Sequence, residues 1–270
     1  MDTNTVLLAF GLTLFAGLAT GIGSAMAFFA KTTNTKFLSV ALGFSAGVMI
    51  YVSMIEIFGK ARGSLVEAMG NVAGSWVTVG GFFAGIFLIA IIDRLVPSME
   101  NPHEIRMVEE IPEQEDKTRK IKLKRIGFFT ALVIALHNFP EGMATFMATL
   151  QDPSLGMAIA VAIAIHNIPE GIAVSVPVYY GTESRKRAFF LSFTSGLAEP
   201  VGALMAYFLF IRFFNDLMFG ISFAVIAGIM VFISIDELLP AAREFGEHHL
   251  SIYGMVAGMV IMAVSLLLFL

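Results

Sequence analysis

Eight apolar stretches, each long enough to cross a lipid bilayer, occupy most of this 270-residue chain. A helix needs roughly 20 mostly apolar residues to span a hydrocarbon core about 30 Å thick. Only 14% of the residues are charged, whereas soluble domains carry about a quarter. Backbone polar groups must be paired inside a bilayer, and helices achieve this within one segment. The sequence therefore predicts an all-α integral membrane protein with a single transmembrane domain over 1–270. We expect a bundle of eight transmembrane helices at 6–30, 37–58, 71–93, 126–150, 155–179, 188–211, 218–239 and 250–270.

The basic residues are divided unevenly between the two sides that alternating loops would occupy. One side has 14 of the 17, and the other has only Lys60, Arg62 and Arg212. The positive-inside rule places the richer side in the cytoplasm and both termini outside. The loop at 95–125 then lies in the cytoplasm. It is acidic in its first half and basic in its second, and such a segment is expected to be flexible.

One six-residue pattern occurs twice within these apolar stretches: His-Asn-Phe-Pro-Glu-Gly at 137–142 and His-Asn-Ile-Pro-Glu-Gly at 166–171. Ionisable side chains at membrane depth are costly and mark functional sites. In each copy the Glu follows the His by four residues and the Asn by three, so all three lie on one helix face. The chain has no cysteine, so a metal here would bind imidazole, amide, carboxylate or water. The pattern predicts a metal site.

The positions of the two copies predict where that site lies. His137 and His166 each stand twelve residues into their spans, about 16 Å from the helix start at 1.5 Å per residue. The two spans run in opposite directions, so the copies meet only at the midplane. Glu199 stands equally deep in the sixth span. Each Pro is expected to kink its helix, and each Gly to admit a neighbouring helix closely.

Charge balance predicts two unequal metal positions. Neutral His137 and His166 with ionised Glu141 and Glu170 carry two negative charges, which match one divalent cation. These nitrogen and oxygen ligands suit zinc, and also iron, cobalt, nickel or manganese. A second position would use the remaining polar side chains and share both glutamates, so two ions would face only three carboxylates. We expect the second position to be weaker. Its ligands would be Asn138, Asn167 and Glu199.

The tandem pattern resembles that of the ZIP (Zrt/Irt-like) metal transporters, and the compact chain is similar to their bacterial zinc-uptake members. The resemblance implies a multi-pass protein of the cell inner membrane that imports Zn²⁺, and also Fe²⁺, Co²⁺, Mn²⁺ or Cd²⁺, by alternating access. It implies a binuclear centre, a homodimer, no prosthetic group and no nucleic-acid partner. The centre would use His137, Asn138, Glu141, His166, Asn167, Glu170 and Glu199. Relatives often carry a histidine cluster in the long loop, where this chain has only His103.

The main alternative is an intramembrane metalloenzyme that uses the same ligands. A zinc protease would carry His-Glu-x-x-His on one helix, and this sequence lacks that pattern. A metal sensor is disfavoured because no soluble output domain is present, so we expect a transporter and not an enzyme.

Other polar residues stand near the ends of the spans. Glu56 is a candidate for the outer entrance, and Asp236 with Glu237 for the cytoplasmic exit. We interpret Asp93 as an interfacial partner of Arg94. We interpret His248 and His249 as surface residues.

Overall fold

The structure, a computed structural model, describes residues 2–26, 35–95, 116–210, 215–244 and 248–268. Within these ranges the regular secondary structure is entirely helical. The α-helices are α1 (Thr3–Met26), α2 (Thr35–Tyr51), α3 (Phe58–Met69), α4 (Asn71–Leu95), α5 (Asp116–Gln151), α6 (Pro153–Thr182), α7 (Arg185–Gly196), α8 (Ala198–Phe210), α9 (Asp216–Ile233), α10 (Leu239–Glu244) and α11 (His248–Leu268).

Several of these helices follow one another without a loop. A π-helical turn at Val52–Ile57 joins α2 to α3, and another at Ser234–Leu238 joins α9 to α10. Leu197 alone separates α7 from α8. The described helices therefore form eight consecutive segments, one for each predicted span, and the all-helical fold class is confirmed. Seven segments are long and apolar enough to cross a membrane.

The eighth segment is α5, which contains the span predicted at 126–150. It begins at Asp116, ten residues before that span, so the basic half of the predicted loop is helical. Residues 96–115 of the loop, including His103, lie outside the described residues. The membrane limits and the sidedness of the segments remain predictions.

The two helices that carry the repeated pattern pack against each other and against α1. Helix α7 contacts both α5 and α6, while α8 packs on α5. These five helices, α1 and α5 to α8, are called the motif group. Among the remaining helices, α2 packs with α10 and α11, and α9 packs with α3 and α4. These are called the flanking group, and it meets the motif group mainly where α2 contacts α6 and α9 contacts α5.

Both glycines of the repeated pattern lie where two helices touch. A Cβ atom built on Gly142 would collide with the backbone of Glu199 in α8. A Cβ atom on Gly171 would collide with the carbonyl oxygen of Thr20 in α1. The expected close approach of neighbouring helices is therefore confirmed. Since the glycine follows the glutamate in each copy, these close helix contacts lie beside the candidate ligands.

Candidate metal site

All seven candidate ligands are buried, and they lie on three helices of the motif group. Each side chain is at most 1% exposed. Helix α5 carries three of them, α6 carries three, and Glu199 is in the first turn of α8. Helices α5 and α6 are each assigned as one helix that continues through Pro140 or Pro169, so the ligands of one copy keep helical spacing.

The histidines and glutamates pair across the two helices. His137 Nε2 lies 3.3 Å from Glu170 Oε1. His166 Nε2 lies 3.3 Å from Glu141 Oε1 and 3.4 Å from Oε2, and only the contact with Oε2 has hydrogen-bond geometry. Helical spacing places the His and the Glu of one copy on the same face of their helix. Because α5 and α6 run antiparallel with their patterns side by side, each imidazole instead reaches the carboxylate of the other copy.

The spacing of each crossed pair is close to one edge of a tetrahedral zinc site. With zinc bonds of about 2.0–2.2 Å, two neighbouring ligand atoms of a tetrahedron lie ~3.3–3.6 Å apart. Within the described residues, however, no group of three or more His, Asp or Glu side chains could hold one ion between them. The geometry is therefore that of two separate ligand pairs, and an ion shared by both pairs requires them to move closer together.

The two asparagines use their amide nitrogens within the protein. Asn138 Nδ2 donates to the carbonyl oxygen of Ser195 at 3.2 Å. Asn167 Nδ2 donates to the carbonyl oxygen of Ala16 at 2.9 Å, and also to Glu199 Oε1. These bonds fix both amides and leave both side-chain carbonyl oxygens without a donor. The contact with Glu199 joins α6 to α8, so all three ligand-bearing helices meet as the equal depths predicted.

Each of the seven side chains has one buried polar atom without a hydrogen-bond partner among the described residues. Ten such atoms occur in that part of the chain, and seven belong to the candidate ligands: His137 Nδ1, Asn138 Oδ1, Glu141 Oε1, His166 Nδ1, Asn167 Oδ1, Glu170 Oε2 and Glu199 Oε2. An unpaired buried polar atom costs about 1–3 kcal/mol, so most are paired in folded proteins. Their concentration on these seven residues indicates a site arranged for a ligand.

Two residues of the flanking group also reach the site. Ser45 in α2 donates its hydroxyl to Glu170 Oε1 at 3.0 Å. Glu237, in the second π-helical turn, places Oε2 3.7 Å from His137 Nδ1. Ser45 was not predicted to reach the site, and Glu237 was predicted only near the cytoplasmic exit. A serine within an apolar stretch gives no signal of a long-range contact, and the pattern of apolar residues does not reveal a π-helical turn.

Two cavities contain carboxylates that the sequence had suggested for the ends of the spans. A small one beside His137 is also lined by Asp93 and Glu237, so Asp93 belongs to the surroundings of the site and not only to the interface. A cavity of about 280 Å³ lies beside the turn between α5 and α6, where Glu56 and Asp152 line it.

At the start of α11, the rings of His249 and Tyr253 stack 6.1 Å apart.

The fold and the site define a class: a multi-pass membrane protein with buried imidazole, amide and carboxylate groups in the combination that divalent transition metals bind. Residues 3–266 match the family model described as ZIP Zinc transporter. The chain belongs to this ZIP zinc transporter family. It is therefore a divalent-metal transporter, and the enzyme alternative finds no support.

Similar proteins cover the same length. The chain is 61% identical over 268 residues to the zinc transporter ZupT of Lysinibacillus sphaericus, and this alignment covers 99% of each protein. It is 60% identical over 276 residues to the zinc transporter ZupT of Nitratidesulfovibrio vulgaris, and this match covers all of both chains. It is 62% identical over 261 residues to the zinc transporter ZupT of Streptococcus mutans, which covers 97% of each.

Proposed function

We propose that this chain imports Zn²⁺ across the cell inner membrane through the seven-residue site, by alternating access. Fe²⁺, Co²⁺, Mn²⁺ and Cd²⁺ are further substrates by the same ligand chemistry. The observation that carries the proposal is the unpaired buried atom on each of the seven side chains. A divalent cation would satisfy the five unpaired oxygen atoms among them, while each imidazole would bind the ion through Nε2 and keep its proton on Nδ1.

The crossed pairs are the proposed primary position. Ionised Glu141 and Glu170 balance one divalent ion, and the pair spacings of 3.3 Å already match ligand edges around zinc. Glu170 keeps Oε2 unpaired and Glu141 keeps Oε1 unpaired. A metal bound between the helices would therefore require the two pairs to move closer together, so that both contribute ligands to one ion.

The second position, at Asn138, Asn167 and Glu199, is proposed to be weaker. Glu237 supplies a fourth carboxylate to the region, but it approaches His137 from the α9 side. The amides are held by Ser195 in α7 and Ala16 in α1. Glu237 thus adds its charge beside a ligand of the primary position, and we assign the shortage of negative charge to the second position.

We place the two ends of the transport route at the two cavities. With both termini outside, as the basic residues predict, the cavity beside Glu56 lies at the outer end and the one beside Asp93 and Glu237 at the cytoplasmic end. We propose that the ion enters at the first and leaves at the second. Assembly as a homodimer remains a prediction of the family resemblance.

The test is Zn²⁺ uptake by purified protein in liposomes. Glu141→Ala removes a ligand of the primary position, and we expect it to abolish uptake while the protein still inserts in the membrane. Glu67→Ala is the matched control, since Glu67 is an exposed glutamate at the end of α3, outside the site. Equal uptake by Glu141→Ala and the unaltered protein would refute the proposal.

A further inference from the structure

Ser45 makes a polar contact between the two helix groups at the level of the candidate ligands. The serine lies in α2, in the flanking group, and its side chain is fully buried. Its hydroxyl donates to Glu170 Oε1 at 3.0 Å, and the carbonyl oxygen of His166 is 3.4 Å away. Both acceptors belong to α6, so a residue outside the motif group contacts the second copy of the pattern.

This contact restricts how the Glu170 carboxylate can rotate. Oε1 faces both the Ser45 hydroxyl and His137 Nε2, which is 3.3 Å away, whereas Oε2 has no hydrogen-bond partner among the described residues. The Ser45 hydroxyl thus holds Oε1 beside His137 Nε2, and these two atoms form the ligand edge proposed for the primary position. Hydrogen bonds to a charged acceptor are also roughly twice as strong as neutral ones. The hydroxyl is thus the group that α2 contributes to orienting Glu170.

We propose that Ser45 is a positioning residue that orients Glu170 toward the metal, and that metal affinity therefore depends on contact between α2 and α6. This inference rests on the proposed transport function. When the flanking group separates from α6, Glu170 loses its donor and binds the ion more weakly. A single hydroxyl thus couples the relative position of the two helix groups to the affinity for the ion.

The experiment compares Zn²⁺ uptake kinetics of four proteins in liposomes: the unaltered chain, Ser45→Ala, Ser45→Thr and Ser39→Ala. We expect Ser45→Ala to raise KM about tenfold with little change in kcat, because ligand orientation is lost while the translocating machinery remains. Ser45→Thr keeps the hydroxyl and should restore KM to within about threefold of the unaltered protein.

Ser39→Ala is the matched control. Ser39 lies in the same helix, is equally buried, and donates to the carbonyl oxygen of Ala242 at 2.6 Å. That bond stays within the flanking group, so its loss tests a purely structural effect. We expect the KM of Ser39→Ala to equal that of the unaltered protein.

An unchanged KM in Ser45→Ala, an equal rise in Ser39→Ala, or a threonine variant as defective as the alanine variant would each overturn the inference. If Ser45→Ala does not accumulate, Ser45→Gly removes the same hydroxyl and must raise KM. If the unaltered protein takes up no Zn²⁺, the proposed function fails. Calorimetric Zn²⁺ affinity in detergent then decides the role of Ser45, since Ser45→Ala must bind about tenfold more weakly.

Discussion

Replacing Gly142 by alanine tests whether close helix packing sets the geometry of the metal site. Gly142 follows Glu141 in α5, and a Cβ atom there would lie 2.6 Å from the Cα of Glu199 and nearer still to its carbonyl oxygen. All of these are backbone atoms of α8. A flexible side chain could turn away from an added methyl group, but a helix backbone has to move as a whole.

The size of that movement follows from the contact distance. Ordinary Cβ contacts begin at 3.4 Å, so α5 and α8 must separate by roughly 0.8 Å or more at this point. Metal ligands have to lie within about 0.2 Å of their bonding distance. The displacement of Glu199 relative to Glu141 is several times that tolerance. Inserting a methyl group into a packed interior also destabilises a protein by about 1–3 kcal/mol.

We therefore expect Gly142→Ala to lose most Zn²⁺ uptake and to unfold at lower temperature in detergent. Gly11→Ala is the matched control, because a Cβ atom built on Gly11 in α1 meets nothing within 4 Å. That variant should transport and unfold like the unaltered protein. If Gly142→Ala transports Zn²⁺ at the same rate as Gly11→Ala, the argument that glycine packing fixes the ligand geometry is wrong.

Three further predictions concern the second position, protons and the start of α6. Glu199→Gln should reduce the number of Zn²⁺ ions bound in calorimetry from two to one, and retention of two would contradict the assignment of Glu199. Because protons compete with metal for the imidazoles of His137 and His166, the Zn²⁺ affinity should fall as the pH is lowered from 7.5 to 5.5, and a flat profile would argue against imidazole ligation. The Ser154 hydroxyl, at 2.7 Å, and backbone N–H groups hold the pKa of Asp152 below its usual range. The stability that this cap provides is present above the ordinary carboxyl pKa and is lost as the pH falls through the lowered value. Asp152→Ala should therefore reduce the free energy of unfolding by about 1 kcal/mol at neutral pH, whereas Asp152→Asn should retain most of it, as thermal unfolding in detergent would reveal.

The sequence predicted most of the fold because a bilayer leaves few alternatives. Long apolar stretches become helices in a membrane, so hydropathy alone locates the eight segments along the chain. The helical extension of α5 back to Asp116 was not predicted, since its charged residues resemble those of a loop. The two π-helical turns were missed for a different reason. They depend on one extra residue per turn, which packing between helices decides and local composition does not.

The candidate site was predicted to a different degree for each kind of residue. The repeated pattern identified the side chains on α5 and α6, and their equal depth brought Glu199 into the group. The partners could not be assigned, because spacing along one helix says nothing about which neighbour lies across from it. His137 pairs with Glu170 of the other copy, and Ser45 approaches from a helix that carries no pattern at all.

The unpaired atoms of the seven side chains also place the stability of the fold in conflict with metal transport. A metal-free protein must keep these buried groups without partners, and each lowers the stability of the fold. Apolar replacements of similar volume would remove this destabilisation. The resulting protein would have a higher free energy of unfolding but would no longer transport ions. The proposed transport site is therefore the part of the fold that costs the most stability. Stabilising substitutions intended to preserve transport belong away from α5, α6 and α8, and away from Ser45 and Glu237, which contact the site.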